Sequence, residues 1–216
     1  MKRLALLLLA LPIAAHAVDI EVAAGVAHYQ PRGNGMWYQE GFPHTLSLNA
    51  PAVQVGLTGN LLPHLDWHAD YVWLGQVRSD AIATSDANYG GPQQPCKGPC
   101  EWKNRLTGHG YVQGFKLSLE PYTHWNGWRF GVEAGAFIYK PYWQVDVIWR
   151  AAPDYNDSQW FTIKNTAAVQ VAPMAGFSIG RGNVDVSYQF FLTKSLGKDQ
   201  YSLYRATHVV QLRYRF

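Results

Sequence analysis

The 216-residue sequence predicts an all-β fold: a transmembrane antiparallel up-and-down β-barrel of eight strands, with ten strands as the alternative. Three observations lead there. The last stretch, Thr207 to Phe216, sets Phe216, Tyr214, Leu212, Val210 and His208 on one face of a strand and Arg215, Arg213, Gln211, Val209 and Thr207 on the other. The same two-residue period recurs along the chain, and no apolar run after Ala17 is long enough for a transmembrane helix. The connections alternate long and short, the asymmetry of a barrel with short turns on one side of a membrane and long loops on the other. A closed barrel pairs every backbone group without water, so strands of this kind can cross a bilayer.

The chain opens with Lys2 and Arg3, an apolar run from Leu4 to Ala14 and the small-x-small triplet Ala15-His16-Ala17, the three parts of an export signal. Cleavage is expected after Ala17, leaving residues 18–216 as one barrel domain. The apolar run falls short of the roughly 20 residues that span a bilayer as a helix. With Lys2 and Arg3 set aside, the 18 Lys and Arg and 15 Asp and Glu come close to balance, without the basic excess of a nucleic-acid-binding protein. A hydrophobic fraction of 48% with a mean hydropathy of −0.19 fits a barrel whose inner wall and loops are polar. Cys96 and Cys100, in Cys-Lys-Gly-Pro-Cys, are expected to close a small disulfide ring, because an exported chain meets an oxidising compartment. Metal binding is the alternative for this pair, with His109 as the further ligand candidate.

The first strand, Asp19 to Tyr29, sends Ile20, Val22, Ala24 and Val26 to one face and Glu21, Ala23, Gly25 and Ala27 to the other, small enough for a crowded interior. A loop, Gln30 to Asn49, precedes the second strand, Ala52 to Gly59, with Val53, Val55 and Leu57 outward and Gln54, Gly56 and Thr58 inward. After a short turn, Asn60 to His64, the third strand, Leu65 to Gln76, directs Trp67, Ala69, Tyr71 and Trp73 to lipid and His68 and Asp70 inward. Val77 to Gly108 reads as the longest irregular segment. The fourth strand, Gly110 to Glu120, has Phe115, Leu117 and Leu119 outward and Gly114, Lys116, Ser118 and Glu120 inward, and a turn from Pro121 to Gly127 follows.

The fifth strand is the clearest, with Trp128, Phe130, Val132, Ala134, Ala136 and Ile138 alternating with Arg129, Gly131, Glu133, Gly135 and Phe137. Beyond Lys140-Pro141 the apolar set changes parity to Trp143, Val145, Val147 and Trp149, which predicts a bulge and an extension above the membrane. A return arm from near Gln159 is expected to enter the membrane as the sixth strand, Ala168 to Ile179. An additional hairpin here would give the ten-strand alternative. The tight turn Gly180 to Asn183 leads to the seventh strand, Val184 to Leu192, with Val186, Tyr188 and Phe190 outward and Asp185, Ser187 and Gln189 inward. A polar loop, Thr193 to Arg205, reaches the closing strand.

If Glu120 faces Arg129 across the turn between the fourth and fifth strands, the antiparallel register also sets Lys116 opposite Glu133. Glu21 is expected at the same membrane end as Arg213 and Arg215. The inward ionisable set then holds the acids Glu21, Asp70, Glu120, Glu133 and Asp185, the bases Lys116, Arg129, Arg213 and Arg215, and His68. Such balance is expected to form a salt-bridge network filling the lumen, because an eight-stranded barrel is just wide enough for its own side chains. A proton or ion path is the functional alternative. The outward aromatics, Trp67, Trp73, Trp128, Tyr188 and Tyr214 among them, read as interfacial girdles.

The closing strand, with Tyr214 and Phe216, and the pattern of strands and loops resemble the small outer-membrane barrels of the OmpA and OmpX type, over residues 18–216 and without a diagnostic internal motif. The resemblance implies a place in the outer membrane of a Gram-negative bacterium, contact with its lipids including lipopolysaccharide, and recognition of Tyr214 and Phe216 by the barrel assembly machinery as an assembly signal. It further implies a role in adhesion, envelope stability or surface interaction with a ligand outside the cell. An OmpW-like conduit for small molecules is the second reading. Lipid A deacylases and palmitoyltransferases also use this scaffold, and the deacylases place His and Ser two apart on a strand. No His-x-Ser occurs here, and His44-Thr45-Leu46-Ser47 has the wrong spacing for one strand face. The sequence therefore assigns no catalytic, cofactor-binding or metal-binding residue, and its leading reading is a non-enzymatic barrel that displays external loops.

Overall fold

A computed structural model describes residues 18–31, 44–86, 101–151, 158–166, 168–193 and 204–216. The expected signal peptide at 1–17 and the Cys96/Cys100 pair lie outside the described residues. The strands are β1 (Val18–Pro31), β2 (His44–Ser47), β3 (Asn49–Leu62), β4 (Leu65–Asp86), β5 (Glu101–Trp125), β6 (Trp128–Ala151), β7 (Ser158–Thr166), β8 (Gln170–Arg181), β9 (Val184–Phe191) and β10 (Tyr204–Arg215). Eight of them, β1, β3, β4, β5, β6, β8, β9 and β10, pair antiparallel in chain order, and β10 returns to β1 to close the barrel. Among the described residues the barrel wall therefore has eight strands and not ten. The short strands β2 and β7 add to the upper parts of β4 and β6, at the end away from the short turns.

Period-two patterning sets the wall. Val22, Val55, Leu117, Val132, Phe177, Val186 and Leu212 are exposed on the outside, while their sequence neighbours Glu21, Gln54, Lys116, Glu133, Ser178, Ser187 and Arg213 are buried inside. An outer wall of this composition is the inverse of a soluble protein's surface and fits a hydrocarbon surround.

The short turns are tighter than the sequence reading allowed. Strand pairing continues to Trp125↔Trp128, so the turn placed at Pro121 to Gly127 contracts to Asn126-Gly127. Both residues have positive φ, 50° and 78°, the geometry of a type I′ hairpin that suits Asn-Gly. Gly180 still pairs with Asp185, which leaves Gly182-Asn183 as the turn there.

Two expectations about the upper part are corrected together. The stretch read as irregular, Val77 to Gly108, is in its described parts a hairpin, with β4 and β5 paired as far as Asp86↔Glu101. A bulge lies within β4, where the register shifts between Trp73 and Gln76 around Gly75 at φ +75°. Conversely, the bulge expected after Lys140-Pro141 is absent. The β5–β6 register runs without a shift from Trp102↔Ala151 to Leu119↔Ala134. Trp143 and Val145 are buried on the same inward parity as Phe137 and Tyr139. The apolar set changes face because the upper interior is itself apolar, not because the backbone slips. Pro141, which has no N–H to give, falls where the β6–β8 ladder ends at Tyr139 and the β6–β7 ladder starts at Tyr142.

Candidate functional site

The bore has two storeys. The lower one, at the end of the short turns, holds the charges. The upper one holds Tyr29, Val72, Leu74, Val112, Phe137, Tyr139, Trp143, Val145, Phe191 and Val209 in one buried apolar cluster. Phe137 stacks on Tyr139 with ring centroids 5.2 Å apart and meets Phe191 at 4.8 Å.

At the boundary a chain of side chains crosses the bore from wall to wall. Gln54 of β3 donates to Gln189 of β9 at 2.6 Å, and Gln189 donates to Glu133 of β6 at 2.8 Å. Lys116 of β5 lies 2.7 Å from Glu133 and 2.9 Å from Asp70 of β4, with no side-chain exposure. Ser118 adds a 2.5 Å donation to the Glu133 carboxylate. A lysine buried in this way requires more than one counter-charge, and the two carboxylates supply them.

Below, Glu120 is the hub. Arg129 donates to its Oε1 at 2.5 Å, Ser178 to the same oxygen at 2.6 Å and Arg213 to Oε2 at 2.9 Å. Arg213, which is fully buried, also grips Asp185 through Nε at 2.8 and 3.0 Å, and Asp185 is its register partner on β9. His68 lies between two acids, with Nδ1 3.2 Å from Glu21 and Nε2 2.9 Å from Glu120. Glycine makes room for this crowding: a Cβ on Gly131 would run into the Glu120 carboxylate and the Ser178 hydroxyl.

Each residue named for the lumen lies on the inner wall, but the expected register does not hold. Lys116 stands opposite Phe137 and Arg129 opposite His124, so β6 is displaced by four residues from the arrangement that would set Glu120 against Arg129. The Arg129–Glu120 and Lys116–Glu133 contacts exist nonetheless, because long side chains inside a narrow barrel lean along the strands to reach a partner. Glu21 pairs in register with Arg215 and lies 3.6 Å from its Nε and 3.8 Å from that of Arg213.

Sequence reasoning missed Asp66. It is buried, accepts from Arg129 at 2.6 Å and from Arg215 at 3.1 Å, and receives Asn60 at 2.5 Å. Its signal was available, since Asp66 shares the parity of His68 and Asp70; it was lost by its place beside the turn. Asp66 is at the rim, and both arginines keep another carboxylate without it, Arg129 on Glu120 and Arg215 on Asp185. Asp66→Asn, which keeps an acceptor oxygen, is therefore expected to cost about 1–2 kcal/mol in urea unfolding, less than the full loss of a buried partner. A loss above about 2 kcal/mol would show that the rim pairs hold the network together.

Two chemical readings of the cluster were weighed. Glu21, His68 and Asp70 can each bring one ligand atom within 4.8 Å of the others. Lys116 and Arg213 already neutralise this group, so it is not a vacant cation cage. Among the described residues no serine hydroxyl hydrogen-bonds a histidine. Ser118 and Ser178 serve carboxylates, and Ser79 and Ser187 lie buried without a partner.

The fold and bore together define a closed, eight-stranded antiparallel barrel with an apolar outer face and polar side chains buried within it. No protein-family model matches the chain, and no curated protein matches it. Among solved structures it is similar to Ail, the attachment invasion locus protein of Yersinia pestis, in complex with the heparin analogue sucrose octasulfate, at 11% identity over 93% of this chain and 99% of that one, with a TM-score of 0.36. It is also similar to Neisserial surface protein A, at 11% identity over 93% and 99% of the two chains, with a TM-score of 0.41.

Proposed function

We propose that this chain is a non-enzymatic outer-membrane β-barrel protein whose bore is closed to ions and whose tall β4–β5 and β6–β7 hairpins present a surface for interaction outside the cell or for envelope integrity. The observation that supports this reading is the side-chain chain Gln54–Gln189–Glu133–Lys116–Asp70, which spans the bore directly beneath an apolar layer. An ion following the axis would have to strip this network and then cross aromatic packing. The register of β4 with β5 continues well above the residues that face lipid, which places a rigid ladder under whatever the hairpin tip contacts. On this reading the outer wall contacts lipids including lipopolysaccharide. The exposed pair Tyr214 and Phe216, with ring centroids 4.8 Å apart, is offered to the assembly machinery.

The test is single-channel conductance of the folded barrel in a planar bilayer, with Glu133→Ala alongside. Silence from barrels whose fold is verified by heat-modifiable migration is the expected result. Reproducible conductance steps in the native chain, altered by Glu133→Ala, would mean a wet path through the charged storey and would sink the closed-bore reading.

A further inference from the structure

The outer wall carries a polar row that the closed-bore reading does not use. Reading β1 upward, the outward positions Ile20, Val22, Ala24 and Val26 give way to His28. Reading β10 from its C-terminal end, Tyr214, Leu212 and Val210 give way to His208. These two histidines are direct register partners across the seam that closes the barrel. Outward on β3, Asn49 is the register partner of His28, and on β9 Phe190 is the partner of His208 with Tyr188 beside it. The row therefore crosses four adjacent strands at the upper edge of the apolar band.

The hydrogen bonds in this row hold both rings by the same nitrogen. His28 Nδ1 lies 2.7 Å from Asn49 Oδ1, an acceptor, and the tautomer that makes this bond carries its proton on Nδ1 and leaves the lone pair on Nε2. His208 Nδ1 lies 2.7 Å from the Tyr188 hydroxyl, and the tautomer in which that hydroxyl accepts leaves the lone pair on Nε2. Both Nε2 atoms are thereby left for something else. Anchoring one ring nitrogen so that the other presents its lone pair is the arrangement that surrounds metal-bound histidines. The ring centroids are 6.4 Å apart with planes at 40°. A centroid sits roughly 3 Å from a metal held at about 2.0–2.1 Å by imidazole nitrogen, so two rings on one ion have centroids at most about 6 Å apart, and these two outward side chains must close up to share one.

We propose that His28 and His208 form a two-histidine site for a late first-row divalent cation of the zinc(II) or copper(II) class on the outer wall of the barrel. Imidazole pairs favour these ions over magnesium or calcium, which take oxygen ligands. The remaining coordination positions fall to water or to phosphate oxygens of the lipid headgroups at this level. A purely structural role is the competing account, since Phe190 packs against His208 with centroids 5.1 Å apart.

The test uses the barrel purified from membranes without an oligohistidine tag. Zinc chloride is titrated by calorimetry, and copper(II) by electron paramagnetic resonance. The site predicts one zinc equivalent whose affinity falls at least tenfold in His28→Asn and in His208→Asn. It also predicts a copper spectrum with superhyperfine splitting from two nitrogens. Both substitutions are on the lipid-facing side, so heat-modifiable migration should be retained. His124→Asn, at the opposite end, should bind as the native chain does. Absence of zinc binding, binding unchanged in both histidine variants, or a copper spectrum with a single nitrogen would each overturn the proposal.

Discussion

Replacing Arg213 by methionine is expected to destabilise the folded barrel by about 3–5 kcal/mol, the range seen when one partner of a buried ion pair is removed. Arg213 is fully buried and lies within ion-pair distance of four carboxylates, Glu21, Glu120, Glu133 and Asp185. It holds Asp185 with a bifurcated donation from Nε and Glu120 with a donation from Nη2, and its Nε lies 3.8 Å from Glu21. Methionine fills much of the same volume, so the loss isolates the charge. Those carboxylates would then face one another with Arg129, Arg215 and His68 alone. The measurement is urea unfolding of the barrel in detergent, followed by tryptophan fluorescence. Adding Asp185→Asn to Arg213→Met should recover part of the loss, with a coupling of about 1–3 kcal/mol, because the most direct orphaned charge is removed at the same time. A single-variant loss below about 1 kcal/mol would mean that water enters the lower storey freely and screens the charges.

The way this network is assembled explains which parts of the protein were legible in the sequence. The barrel itself was, because Trp128 to Ile138 and Thr207 to Phe216 keep a strict two-residue period, and that period alone decides which side chains meet lipid. Inward placement of Lys116, Glu133 and Arg213 follows from the same parity. Register was not legible. Glu120 and Arg129 are within ion-pair distance without being opposite one another, so opposite charges near a turn do not fix a ladder.

The upper storey misled for a related reason. Trp143 and Val145 are apolar and inward, whereas Phe130 and Val132 are apolar and on the outward parity of the same strand. A rule that equates apolar with outward must then invent a slip between them. The real slip, at Gly75, is hidden in Leu74-Gly75-Gln76, where a single glycine carries the positive φ and no proline or polar cluster marks it.

That bulge sets up the second large effect: Tyr29→Phe, the loss of one oxygen atom, is expected to cost about 2–6 kcal/mol, from about 1–3 kcal/mol for each of two buried backbone groups left unpaired. The β4–β5 register passes from Trp73↔Gln113 to Gln76↔Tyr111, so Gly75 and Val112 are skipped in that ladder. The Tyr29 hydroxyl reaches both from β1. It accepts from the Val112 N–H at 3.2 Å and donates to the Gly75 carbonyl at 3.1 Å. Tyr29 is wholly buried in the apolar storey, where an unpaired backbone group is costly. In Tyr29→Phe, urea unfolding should show the loss, and amide exchange at Val112 should accelerate while exchange at Lys116 changes only with global stability. Tyr71→Phe is the comparison, since that hydroxyl bonds Gln113 on the exposed outer face at 3.0 Å and its loss should stay within about 0.5 kcal/mol. Equal effects of the two substitutions would show that the bulge satisfies its own backbone and that Tyr29 only fills space.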